Sequence, residues 1–180
     1  MKTYNSQSST NKKGFSIIEV IISVFVIAVG LVSIIGLIAG SLRESINSRN
    51  QTIAANLVQE GVELVRNVRD NNWASGDPIT FHYLDDSDDC IIDYGSSLDC
   101  TGLNYPLKLG GSGYYNHSIG TLTKFSRRIK IESSGTDKKI TSVVKWDGGS
   151  SWPVMNGNFS DCTTSNKCVY AQDILTDWKQ

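Results

Sequence analysis

The sequence predicts an α+β protein, in which a long N-terminal helix, membrane-spanning in its first half and amphipathic in its second, packs against an antiparallel β-sheet. Three observations predict it. A nearly uncharged apolar run lies close to the N-terminus, a helical periodicity continues beyond it, and after Trp73 the periodicity changes to two. Overall composition hides this division. Of the 180 residues 39 % are apolar and 19 % charged, and 17 Lys+Arg against 18 Asp+Glu leave a formal net charge of −1. That is a globular composition with no general attraction to nucleic acid or anionic lipid.

Between Lys13 and Arg43 lie 29 residues, of which only Glu19 is charged. The apolar stretch from Phe15 to Ala39, as a helix, spans about 38 Å, more than the roughly 30 Å of bilayer hydrocarbon. A removed secretory signal would have a shorter apolar core and a small-x-small cleavage site. Here the run is too long, and Ala39 has Leu37 two positions earlier. The segment is therefore expected to stay in the product as a membrane helix, which excludes a soluble cytosolic enzyme. Lys2, Lys12 and Lys13 precede it without an acid, whereas Arg43 and Glu44 offset each other after it. The positive-inside rule places the N-terminus in the cytoplasm and everything beyond about residue 42 outside.

Helical periodicity continues through Ile46, Ile53, Leu57, Leu64 and Val68, with Ala54, Val58, Gly61 and Val65 in the same stripe. Arg43, Glu44, Arg49, Glu60, Glu63, Arg66 and Arg69 take the other positions, and Asp70-Asn71-Asn72 ends the helix with turn-favouring residues. Alternation then marks strands at Ile79–Tyr83, Phe125–Ile131 and Ile140–Trp146, the last two joined as a hairpin by Ser133–Asp137. Weaker strand signals lie at Cys90–Tyr94, Tyr105–Leu109 and Val169–Leu175, between Gly/Ser/Asn stretches such as Gly110–Gly113 and Gly148–Ser151.

Four cysteines, Cys90, Cys100, Cys162 and Cys168, all fall on the outer side, where disulfides persist. They can pair in three ways; closure of two small local loops, Cys90–Cys100 and Cys162–Cys168, is the preferred one. With no Cys-x2-Cys, neither a zinc site nor a thioredoxin-like redox pair is expected, and no cofactor is.

The sequence contains no metalloprotease helix motif, phosphate-binding glycine loop or nucleophile elbow. His82 and His117 have no ligand spacing and are expected to be structural. Asp85, Asp86, Asp88, Asp89, Asp93 and Asp99 cluster before residue 100. They read as a solvated acidic turn, with calcium the alternative, although Cys90 and Ser96 stand where a helix–loop–helix calcium loop needs glycine and glutamate. Lys124, Arg127, Arg128, Lys130, Lys138, Lys139 and Lys145 cluster on the hairpin. They read as a solvent-facing strand, with DNA contact the alternative.

Glu19 is the anomaly, because a carboxylate inside a spanning helix costs on the order of 2.5–3.5 kcal/mol on insertion scales. It either snorkels to the headgroups or has a task. The surrounding Lys12-Lys13-Gly14-Phe15-Ser16-Ile17-Ile18-Glu19-Val20 resembles the prepilin signature of type IV pilins and pseudopilins. That resemblance implies a cytoplasmic leader over residues 1–14, cut by prepilin peptidase between Gly14 and Phe15, and methylation of the new N-terminal Phe15. It implies a membrane and filament-core helix over 15–40, an amphipathic continuation over 41–72, and an extracytoplasmic sheet domain over 73–180. Glu19 would then dock against a neighbouring subunit. Partners implied are the peptidase, other pilin subunits and the assembly platform of the cytoplasmic membrane. Major pilins commonly carry proline at the position of Gly36, so the stretch from Glu19 to Leu31 looks more like minor pilins of the pilus-modification type and minor pseudopilins. The C-terminal pair Cys162–Cys168 also resembles the disulfide loop many pilins carry, at unusually short spacing. The implied function is a minor structural subunit of a pilus or related filament. A tip or uptake pilin binding DNA, a surface or a secreted substrate is the alternative, as is a pseudopilin of a type II secretion system.

Overall fold

A computed structural model describes residue 14 and residues 16–101, 105–147 and 162–177. Helix α1 runs from Ile17 to Ala74, and six strands follow: β1 (Ser87–Cys90), β2 (Pro106–Leu109), β3 (Tyr115–Asn116), β4 (Thr121–Ser134), β5 (Asp137–Trp146) and β6 (Cys168–Leu175). The chain divides into two compact units after Ile46. In the first, every described residue from Ser16 to Ile46 is exposed, so the apolar side chains of this segment lie on its surface.

The second unit is an antiparallel sheet packed on residues 47–74 of α1. Strand order is β3-β2-β4-β5-β6, with β1 pairing the far half of β4 beside β2. The β4–β5 hairpin is its spine, in register from Ser134↔Asp137 to Phe125↔Trp146. The turn is tighter than the sequence suggests: only Gly135 and Thr136 lie outside the strands, with Gly135 at φ +67°. Glycine adopts that left-handed backbone without the steric cost a Cβ brings.

Two apolar clusters form the core. Ala54, Leu57 and Val58 of α1 meet Leu107, Phe125, Val144 and Trp146. One to two turns further on, Val65 meets Leu84, Ile92, Ile129, Ile131 and Ile140. Between them sits Gly61, where a Cβ would overlap Ser142 Oγ and lie 3.0 Å from Ile129 Cδ1. The missing side chain lets the helix touch the sheet there, and this turns the buried stripe relative to its expected centre. Ala54, Val58, Gly61, Val62 and Val65 become the seam, Ile53, Leu64 and Val68 flank it, and Ile46 is 59 % exposed. Arg69, expected on the solvent side, is buried, and so is Asn72 at the helix end.

Residues 79–83 are not the strand their alternation predicts. Asp77 starts a turn by accepting from the Ile79 amide, and His82 N–H and Leu84 N–H close local turns onto the carbonyls of Ile79 and Phe81. Asn72 Nδ2 at the helix end donates to the carbonyls of Thr80 and His82, so those acceptors are taken before any strand can reach them. Similarly, the weak strand at Cys90–Tyr94 moves N-terminally to Ser87–Cys90. Beyond it only an Ile91↔Asp99 bridge forms, because Asp93 and Ser96 bond each other across a turn. The loop Gly148–Ser151 lies outside the described residues.

Cys90 joins Cys100 and Cys162 joins Cys168, at sequence separations of 10 and 6. Loops this short are worth somewhat less than about 3 kcal/mol each in the loop-closure account. Their surroundings separate them. Cys90 is fully buried among the core residues, whereas, among the described residues, Cys162 and Cys168 cluster with Val143 in a small satellite. Replacing Cys90 and Cys100 by serine should therefore lower the melting temperature more than replacing Cys162 and Cys168. Thermal unfolding of both double variants, with non-reducing peptide mapping of the parent, checks this; an equal or reversed order contradicts it.

Candidate processing and assembly site

Gly14 is exposed and has open space wherever a Cβ would point. Two residues later the helix begins, as the carbonyl of Ser16 accepts from the amides of Glu19 and Val20 at 3.0 and 3.2 Å. Ser16 is thus the N-cap and Glu19 lies in the first turn, where the helix dipole favours a carboxylate. The Ser-x-x-Glu spacing was a legible helix-start signal that hydropathy alone overlooks. Glu19 is exposed, and Ser23 Oγ donates to its backbone carbonyl at 2.7 Å. Phe15 and residues 1–13 lie outside the described residues. A Cβ added at Gly36 or Gly40 would meet nothing within 4 Å among the described residues, so their small-x3-small spacing is open. Among the described residues α1 is the one helix long and apolar enough to cross a membrane. What this segment offers is a small, open residue, then a helix start bearing one acid, then a greasy rod with no covered face.

In the outer unit the acidic and basic clusters, separate in sequence, meet in space. Antiparallel pairing of β1 with β4 sets Asp86 2.6 Å from Lys138 and Asp88 3.0 Å from Lys130, and joins Asp89 to Arg128. Lys138 and Ser133 hold the Asp86 carboxyl below its ordinary range. The hairpin cations are accordingly not a solvent-facing row. Lys130 is only 5 % exposed; burial works against its charge, and Asp88 and Glu132 outweigh that and raise its pKa. These aspartates are engaged by cations rather than forming a bare acidic turn, and the same pairing withdraws positive charge from a nucleic-acid surface.

Arg127 is the residue the sequence conceals most completely. It lies on the helix-facing side of β4 between Phe125 and Ile129, and it is fully buried. One guanidinium nitrogen donates to the Ile92 carbonyl at 2.7 Å; the other reaches Glu60 at 3.1 Å and the Leu57 carbonyl at 3.4 Å. Asp93 stands 3.8 Å away and also bonds His117, through Nδ1 at 2.6 Å and the backbone amide at 2.9 Å. Burial alone would raise the Asp93 pKa, but the hydrogen bonds from His117 and the charges of His117 and Arg127 lower it below 3.8. His117 is buried and structural, while His82 is half exposed and pairs with Asp77 at 2.7 Å.

The family model for the prokaryotic N-terminal methylation motif matches residues 9–35, the stretch that holds Gly14, Phe15 and Glu19. No curated protein and no solved structure matches the chain. Together with a long N-terminal apolar helix on an antiparallel sheet, the motif supports a type IV pilin-like protein. Motif and apolar helix fit a membrane-anchored, prepilin-processed structural subunit rather than an enzyme.

Proposed function

We propose that the chain is a minor structural subunit of a type IV pilus or related filament. It waits in the cytoplasmic membrane with its N-terminus inside and its sheet domain outside. Prepilin peptidase cuts between Gly14 and Phe15, and Phe15 is methylated. Through its first helix the subunit then leaves the bilayer, at the assembly platform, for a filament of other pilin subunits. The observation that carries this reading is the methylation motif placed directly against a helix start whose apolar surface is uncovered on every side. An exposed apolar rod needs lipid or other rods around it, and a subunit stored in one and assembled in the other has both.

Glu19 acts in docking. After the cut, Phe15 carries a free amine, and the carboxylate of an adjacent subunit neutralises it in an apolar filament core, offsetting a desolvation cost that each charge alone would bear. Glu19→Ala removes an insertion cost of about 2.5–3.5 kcal/mol, so the variant should enter the membrane at least as well as the parent. It should nevertheless be depleted from sheared filaments. Quantifying the variant in membrane and sheared fractions tests this; normal incorporation would leave helix-start stabilisation and snorkelling as its roles.

A binding role for the outer domain, as in a tip or uptake pilin, is favoured by Tyr94 and Tyr114, which are 82 % and 66 % exposed. DNA is disfavoured as the ligand by the ion pairing of the hairpin cations with β1.

A further inference from the structure

The residue after Asp93 is held out into water on a rigid support. Tyr94 stacks on Tyr114 with ring centroids 6.2 Å apart and planes 14° from parallel, although the two rings come from different loops. Both loops are fastened. The first is closed by Cys90–Cys100 and the Ile91↔Asp99 bridge, and Asp93 ties it to His117. The second closes through Gly110 N–H on the Tyr114 carbonyl and Gly113 N–H on the Gly110 carbonyl. Exposed aromatic rings this well anchored add little to the core, but they form a flat surface whose ordering cost is already met before any ligand arrives.

Tyr94 is also one wall of a groove of about 650 Å³ between residues 60–71 of α1 and residues 92–96. Among the described residues its polar lining includes Glu60, Glu63, Asn67, Asn71, Asp93 and Ser96, and none of the lining is basic. The three carboxylates are engaged from behind: Glu60 and Asp93 share Arg127, Asp93 also bonds His117, and Glu63 shares Arg66 with Asp173. The groove is thus rich in oxygen acceptors, and its carboxylates already hold partners. Asn71 Nδ2 donates to Asn67 Oδ1 at 2.8 Å, which leaves Asn67 Nδ2 and Asn71 Oδ1 to meet a ligand. A cationic peptide would find its counter-charges already engaged, and a polyanion would meet carboxylates. A neutral ligand with an apolar face for the ring and many hydroxyl donors suits every element of the lining.

We propose that this groove is a saccharide-binding site, taking a neutral sugar with its C–H face on Tyr94 and its hydroxyls on Asn67, Asn71 and the carboxylate oxygens. The test uses the full-length chain in a detergent without a sugar headgroup, applied to an array of neutral, carboxylated and aminated oligosaccharides. The strongest hits are then titrated calorimetrically, beside an oligolysine peptide and a DNA duplex. Neutral oligosaccharides should bind in preference to all other probes. Tyr94→Ala should weaken that binding about tenfold, about 1.4 kcal/mol, while Tyr94→Phe keeps it, since stacking needs the ring and not the hydroxyl. Because Tyr94 is largely exposed, the alanine variant should melt with the parent. Its N-terminal processing and filament incorporation should also be unchanged, so failure of the sugar site and failure of the filament reading are seen separately. No neutral binding, binding indifferent to Tyr94→Ala, or stronger binding of the peptide or DNA each overturns the proposal.

Discussion

Arg127→Ala should destabilise the outer domain by about 3–5 kcal/mol, the range for breaking a buried charged network by removing one partner. Three acceptors lose a donor together, the carbonyls of Ile92 and Leu57 and the carboxylate of Glu60, and Asp93 loses its neighbouring positive charge. The two carbonyls sit on different elements, so the guanidinium links α1 to the loop after β1 through β4. A domain of this size typically has about 5–15 kcal/mol in total, and the variant should be marginal or partly unfolded. Arg127→Lys should recover only part of the loss, because a single ammonium cannot serve carbonyls on two sides as a planar fork does. Urea unfolding of the full-length chain in micelles reads the effect directly. A change below about 1 kcal/mol, the net worth of an ordinary neutral hydrogen bond, would show that Arg127 is dispensable to the core.

The second large effect is expected at Gly61. In an exposed helix, alanine would be better than glycine by about 1 kcal/mol. Here the new Cβ would overlap Ser142 Oγ and approach Ile129 Cδ1 and Arg127 Cδ at 3.0 and 3.1 Å. Overpacking a filled core usually costs about 1–3 kcal/mol, and Gly61→Leu should reach the top of that range because it levers the helix away from both clusters at once. A paired substitution isolates the cause. Ser142 is fully buried, its Oγ has no hydrogen-bond partner among the described residues, and it is the nearest obstacle. Gly61→Ala should be destabilising alone and largely rescued by Ser142→Ala, a coupling a double-mutant cycle measures. Additive effects of the two changes would place the strain elsewhere.

Local patterns carried much of this architecture. The apolar run, the amphipathic continuation, the β4–β5 hairpin and the strands at 106–109 and 168–175 are each written in a few adjacent residues. What stayed hidden depends on partners far along the chain. Ile79–Tyr83 alternates like a strand, but Asn72 takes two of its carbonyls. The seam of α1 is set by the absence of a side chain at Gly61, which hydropathy scores as neutral. Arg127 reads as one more hairpin cation until β4 places it on the inner face between Phe125 and Ile129. The acidic and basic clusters read as two surfaces because nothing local reveals that β1 lies against β4. At the N-terminus the reverse holds: the methylation motif is written in a short, contiguous stretch that needs no distant partner to be read.

Processing is the central claim, and one mass measures it. If the chain is a prepilin-type subunit, intact-mass and N-terminal peptide analysis of filament-associated protein will find a mature chain that begins with N-methylated Phe15 and lacks residues 1–14. A chain that still begins at Met1, or begins at Ser16 or beyond, contradicts the account.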